Sequence, residues 1–180
     1  MKNKIEKLAK QIMQCKKCRL WKIRKNAVPG EGKSNAEIMI IGQAPGRQED
    51  ETGRPFVGRA GKLLNEALAR FGRKREDFFI TSILKCFPPA NRKPKQDEIK
   101  ACLPYTLKQI EIIKPKAILL LGEVAAKALL NIEFKKGRGK FIKQNSIVYF
   151  ATYHPAAALR FPKVKEEFLK DLEKFFINIK

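Results

Sequence analysis

The residues of this chain best equipped for chemistry are four cysteines, a single histidine and a glycine-rich segment that carries one phenylalanine. Cys15 and Cys18 form a C-x2-C pair, and Cys86 and Cys102 follow with 15 residues between them. Four thiolates with no histidine beside them satisfy either a tetrahedral zinc or one iron–sulfur cluster. The competing use of cysteine is packing, since it is among the most buried residue types. Lys16, Lys17 and Arg19 crowd the tight pair and want water, so metal ligation is the better account, although spacing alone does not name the metal.

His154 closes the apolar run IVYFATYH (147–154), immediately before Pro155. A lone histidine usually serves structure. One at the carboxyl end of a strand stands where open α/β sheets keep their sites. The residues after it, AAALR (156–160), are small apart from Leu159 and Arg160. That composition suits close approach to DNA, with Leu159 as a wedge and Arg160 on a phosphate. The segment GQAPGRQEDETGRPFVGRAGK (42–62) fails as a phosphate loop, because Lys62 is followed by Leu63 and the position five before Gly61 is Phe56. No G-x-G-x-x-G fingerprint follows the preceding strand either. The segment does offer backbone amides around Gly42 to Gly46, and Phe56 between Pro55 and Val57. Phe56 either plugs the core or forms a platform on which a flat base stacks.

These groups must be positioned by regular elements. Ile5, Leu8, Ile12 and Met13 at helical spacing predict an amphipathic helix over 3–14 that leads into Cys15. AEIMIIG (36–42) reads as a buried strand and GKLLNEALARFG (61–72) as a helix closed by Gly72. FFITSILK (78–85) reads as a second strand, followed by a helix from about Pro94 with Asp97 and Glu98 in its first turn. Strand KAILLLG (116–122), helix EVAAKALL (123–130), a basic hairpin or loop (135–145), strand 147–154 and a helix over 163–178 complete the chain. Four buried strands alternating with helices predict a single-domain α/β/α sandwich around a four-stranded parallel sheet. Ligands in such sheets bind beyond the carboxyl ends of the strands, which selects the segments after Gly42, Lys85 and Tyr153.

Composition narrows the partners. The 180 residues carry 39 Lys+Arg against 18 Asp+Glu, a formal charge of +21, which points to a polyanion. A hydrophobic fraction of 44% with 12 Phe excludes a disordered basic tail. No apolar run is long enough to span a bilayer and the N-terminus lacks a signal-peptide core, so a soluble, cytoplasmic, monomeric protein is expected. Four cysteines are too few for a disulfide scaffold.

Taken together, the motifs resemble the family 4 uracil-DNA glycosylases, the iron–sulfur branch found in archaea and thermophilic bacteria. The likeness covers nearly the whole chain, from the Cys15/Cys18 pair and N-x-VPG (26–30) through GQAPGRQED, GRPFVGRAGKLL, ITSILKCFPPANRKP and HPAAALR to the last helix. The resemblance implies a 4Fe-4S cluster held by Cys15, Cys18, Cys86 and Cys102, structural in role, with zinc in second place. It also implies that uracil is flipped from DNA onto Phe56, that backbone amides near Gly42 to Ala44 shape the pocket, and that His154 donates to uracil O2 as the N-glycosidic bond breaks.

The chain departs from that pattern at informative positions. Family 4 commonly has glutamate where this chain has Gln43, another branch has a water-orienting aspartate where it has Ala44, and the family's base-reading asparagine aligns with Ser82. Ala158 stands where the histidine loop often has leucine. Gln43 cannot act as a base, so the water would be oriented by Gln43, Asn91 or a backbone carbonyl, or the reaction is largely dissociative. Three readings follow: a monofunctional glycosylase for uracil or another deaminated base, a weak or inactive relative that binds damage without excision, and a zinc-stapled nucleic-acid module. Leu172, Phe175 and Phe176 match the spacing of tails that dock on sliding clamps, a second candidate partner, but Leu169 replaces the expected glutamine. An amphipathic helix packing on the sheet is the simpler explanation of those three residues.

Overall fold

The computed structural model describes residues 1–179. Its six strands are β1 (Glu31–Gly32), β2 (Ile38–Gly42), β3 (Phe79–Ser82), β4 (Ala117–Leu121), β5 (Phe141–Gln144) and β6 (Ile147–Thr152). They form one sheet in the order β1-β3-β2-β4-β6-β5. The inner four are parallel, as expected, while β1 and β5 add an antiparallel strand at either edge. The predicted four-stranded sheet is thus the centre of a mixed six-stranded one, and β5 is the first arm of the basic hairpin. Antiparallel edges need no crossover, which is why short or polar segments can supply them.

The helices are α1 (Lys2–Met13), α2 (Arg47–Thr52), α3 (Arg59–Ala69), α4 (Gln96–Ile113), α5 (Glu123–Leu130), α6 (Phe134–Gly137), α7 (Pro155–Ala158) and α8 (Pro162–Asn178). Alternate strand residues feed two cores, as a period of two requires. Ile38, Ile40, Leu119, Leu121 and Phe150 meet α3 and α8 on one face. Met39, Ile41, Ile118, Leu120 and Ala151 meet α4 and α5 on the other. Leu172, Phe175 and Phe176 of α8 lie within the first core, which is the amphipathic packing expected of them. Among the described residues no helix is long and apolar enough to cross a membrane.

Two local expectations are corrected. Pro94 precedes the helix instead of opening it, because Glu98 Oε2 accepts the Lys95 N–H at 2.8 Å and fixes the first turn at Gln96. The second strand ends at Ser82, not Lys85. There the chain turns toward β2, with Ile83 N–H and Leu84 N–H donating to the carbonyls of Gly42 and Gln43 at 2.9 and 3.1 Å.

Candidate active site and cysteine pocket

The sheet order places β3 to one side of β2 and β4 to the other, so the crossovers diverge at the carboxyl ends of β2 and β4. A crevice opens at such a switch point. Gly42 ends β2 and Gly122 follows β4, and both anticipated side chains converge on them. The ring of Phe56 lies against Gly42 so closely that a Cβ there would stand 2.5 Å from Phe56 Cζ and 3.4 Å from Ser82 Oγ. The Cβ of His154 lies 3.1 Å from where a Cβ on Gly122 would stand. Phe56 and His154 face each other with ring centroids 5.7 Å apart.

Phe56 is held by its backbone. It adopts a φ of 50°, the left-handed region, and is 6% exposed. Its carbonyl accepts from Arg75 Nη1 at 3.0 Å, and Arg75 Nη2 donates to the neighbouring Pro55 carbonyl. Arg75 is itself fixed by Glu31 at 2.8 Å, which gives the two-residue β1 a part in placing the ring. A Cβ on Gly61 would come within 1.8 Å of the Phe56 oxygen, so only glycine lets α3 start where it does. Phe56 therefore belongs to the core and also forms one wall of the crevice.

Glu49, which the sequence reading passed over, is the latch of this loop. Its Oε1 accepts from the N–H groups of Val57 and Gly58, both at 2.9 Å, and its Oε2 from Gly46 N–H at 3.0 Å. The available signal was the G-x-x-E spacing of Gly46 and Glu49 at the start of α2, a capping-box arrangement. Burial pushes the His154 imidazole down to about 4, with the Glu49 charge pulling the other way. His154 Nδ1 accepts from the Ala156 N–H at 3.1 Å. A neutral ring that accepts at Nδ1 carries its proton on Nε2 and can donate there.

The remaining expected residues are spread around this centre. Ser82 is buried at the end of β3, paired with Gly42. Its carbonyl accepts from Lys85 Nζ at 2.7 Å and from Thr106 Oγ1 at 3.2 Å. Gln43 and Ala44 are half-buried in the turn after β2. Asn91 is exposed with a φ of 54°, and its Oδ1 lies 3.4 Å from where a Cβ on Gly46 would stand. Leu159 and Arg160 are exposed just past α7.

Cys15, Cys18, Cys86 and Cys102 all line one small cavity, together with Ile12, Trp21, Tyr105 and the cations Lys17, Arg24 and Lys85. Among the described residues no group of three histidine, cysteine or acidic side chains is placed to hold a single metal ion. Arg24 Nη1 donates to Cys86 Sγ at 3.1 Å, and the Lys85 backbone N–H donates to Cys102 Sγ at 3.2 Å. Burial pushes the Cys102 thiol up to about 12, opposed by the charge of Lys85. Lys85 is the unexpected member: its ammonium is buried among Thr81 Oγ1, the Ser82 carbonyl and Gln109 Oε1 at 2.6 to 2.8 Å. That network joins the cysteine pocket to the end of β3.

Comparisons with known proteins place the chain among the uracil-DNA glycosylases. The sequence model of the "Uracil DNA glycosylase superfamily" matches residues 29–175. A type-4 uracil-DNA glycosylase of Pyrobaculum aerophilum is 49% identical over 182 residues, covering 96% of this chain and 93% of the relative. That of Saccharolobus solfataricus is 49% identical, covering 94% and 84%. That of Archaeoglobus fulgidus is 43% identical, covering 94% and 90%.

Proposed function

The chain belongs to the uracil DNA glycosylase superfamily, in its type-4 branch, and from that premise we propose that it excises uracil from DNA as a monofunctional glycosylase, with His154 as the electrophilic donor and Phe56 as the base platform. The observation that carries the residue assignment is the meeting of His154 and Phe56 over Gly122 and Gly42 at the switch point of the sheet.

Uracil in a duplex must leave the stack, at a cost of a few kcal/mol, which phosphate contacts from a strongly basic surface offset. Once flipped, the base lies against Phe56. The Nε2–H of a neutral His154 points its donor at uracil O2, where negative charge grows as the N-glycosidic bond lengthens and the sugar gains oxocarbenium character. The proton stays on Nε2, water attacks the sugar carbon, and the proton that water sheds passes to solvent or to the departing uracil anion. Gln43 or Asn91 orients that water, and neither needs to ionise, because a dissociative departure of the uracil anion does not require a strong base. Lys85 is shut behind Ser82 and Gln109, so it forms no Schiff base.

Cys15, Cys18, Cys86 and Cys102 would hold a 4Fe-4S cluster, since four sulfurs with no histidine or carboxylate among them line one cavity and cations stand beside them to offset thiolate charge. Bound there, it would act as a cross-link through which these four cysteines tie the N-terminal segment to the 86–102 loop. The protein acts in the cytoplasm as a monomer on DNA that contains uracil or a related deaminated base.

Gln43 and Ser82 favour a second reading, a relative that binds damage without excising it. One experiment separates the two. A uracil-bearing oligonucleotide treated with the protein and then with alkali breaks at the uracil if the base has been removed. Tight binding with no alkali-labile site selects the second reading.

A further inference from the structure

Phe161 has no part in the chemistry above, yet it is built to stand in solvent. It is 59% exposed, and Leu159, two residues earlier, is 47% exposed. The backbone beneath them is fixed. Leu159 N–H donates to the Pro155 carbonyl at 3.0 Å, Phe161 N–H to the Ala157 carbonyl at 3.1 Å, and the Phe161 carbonyl accepts from Lys165 N–H at 3.0 Å. Pro162 then opens α8. Two apolar side chains are thus presented on a rigid turn between α7 and α8, the same turn that begins with His154.

The surroundings specify what they meet. Residues 134–165 carry eight Lys or Arg and no Asp or Glu. Arg160 lies between the two apolar side chains, and Lys163 and Lys165 follow them, all three exposed. An apolar prominence flanked by the exposed cations Arg160, Lys163 and Lys165 suits a polyanion with an apolar interior, which is the description of stacked DNA. A flipped nucleotide leaves two things behind it: an empty space in its own strand and an unpaired base opposite. A branched leucine fills space, whereas a flat ring stacks.

We propose that Phe161 enters the duplex beside Leu159 and stacks on the orphaned base opposite the excised uracil, making Phe161 a duplex-specific determinant of opposite-base preference. The inference rests on the glycosylase reading. In single-stranded DNA there is no orphaned base, so Phe161 has nothing to stack on there.

The test compares single-turnover excision from a single strand with excision from duplexes that place guanine or adenine opposite uracil. In Phe161→Ala the duplex-to-single-strand rate ratio should fall roughly tenfold or more, the scale of one base–aromatic stack. Phe161→Trp should restore the ratio and Phe161→Leu should not. In parallel, 2-aminopurine opposite the uracil should change fluorescence on binding the unaltered protein and not on binding Phe161→Ala. An unmoved ratio, an equal loss on both substrates, or full rescue by leucine overturns the proposal. If the unaltered protein excises nothing, the glycosylase reading fails by itself and the fluorescence arm still decides the role of Phe161.

Discussion

The rings of His154 and Phe56 lie 5.7 Å apart between centroids and are tilted by 30°. A base sandwiched between two rings needs about twice the stacking distance of roughly 3.4 Å, so a uracil cannot lie between them face to face. In the proposed pose it lies on Phe56 and meets His154 with its edge. The two residues therefore do separable work, and each can be changed without imitating the other.

Phe56→Leu is expected to keep much of the core volume while losing the flat face. Capture of the flipped base should weaken by about 1–3 kcal/mol. The loss should appear in the protein concentration giving half-maximal rate under single-turnover conditions, with less change in the maximal rate. A variant that loses only maximal rate would show that the base does not rest on Phe56.

His154→Ala is expected to slow excision on the order of 10²–10³-fold, the scale of removing one donor aimed at developing charge, with little effect on DNA binding. Because the imidazole is pushed down to about 4, the rate of the unaltered protein should show no break near pH 6.5. The sign for stability follows from the same shift. The unfolded chain takes up a proton on this histidine near 6.5 and the folded one only near 4, so the contribution of His154 is fully present above 6.5 and is lost as pH falls toward 4. A rate profile with an acid limb at 6.5 that vanishes in His154→Ala would reverse this account.

What could be read beforehand follows from where the information is local. The buried runs of β2 and β4 are apolar throughout, and α5 over 123–130 was bounded correctly by its own periodicity. The cysteines, Phe56 and His154 stood out because their neighbours are odd company for a core. Glu49 did not stand out among Glu49, Asp50 and Glu51, since its partners Val57 and Gly58 lie on a loop whose return was not foreseeable. Helix α2 has no apolar stripe and so no helical signature. From sequence Lys85 reads as a strand residue, because the acceptors that let it be buried come from Thr81, Ser82 and the distant Gln109. Strand β1 is only two residues long, too short for any pattern to show.

Glu49→Gln tests the latch. Both carboxylate oxygens accept from backbone N–H groups, and a glutamine must turn an NH2 toward one of them. A buried donor left facing a donor costs about 1–3 kcal/mol. Thermal unfolding should shift down accordingly, and excision should fall through displacement of Phe56. If melting and excision are both unaltered, the loop is held by Arg75 alone.

Cys86→Ala and Cys102→Ala should each abolish the visible absorption and lower the iron content of the purified protein. Both should melt earlier, since the 86–102 segment loses its tie to Cys15 and Cys18. A full complement of iron in either variant would remove that cysteine from the ligand set.

Ser82 offers the sharpest test of substrate. It ends β3 beside Gly42, is 6% exposed, and its backbone is pinned through its carbonyl by Lys85 and Thr106, so a substitution changes the side chain and not the strand. A single hydroxyl can donate or accept one bond to a base at a time, and it can turn to suit either pattern. An asparagine amide at this position would accept from uracil N3–H and donate to O4, a pair that cytosine reverses. Ser82→Asn should therefore raise uracil excision roughly threefold to tenfold, the scale of one net hydrogen bond. It should also widen the margin over cytosine in single strands, where flipping no longer protects a paired base. Assays across uracil, hypoxanthine, xanthine and thymine would show whether serine admits other bases. Loss of excision in a Ser82→Asn protein that melts normally and keeps its absorption would mean that this pocket was built around a different base.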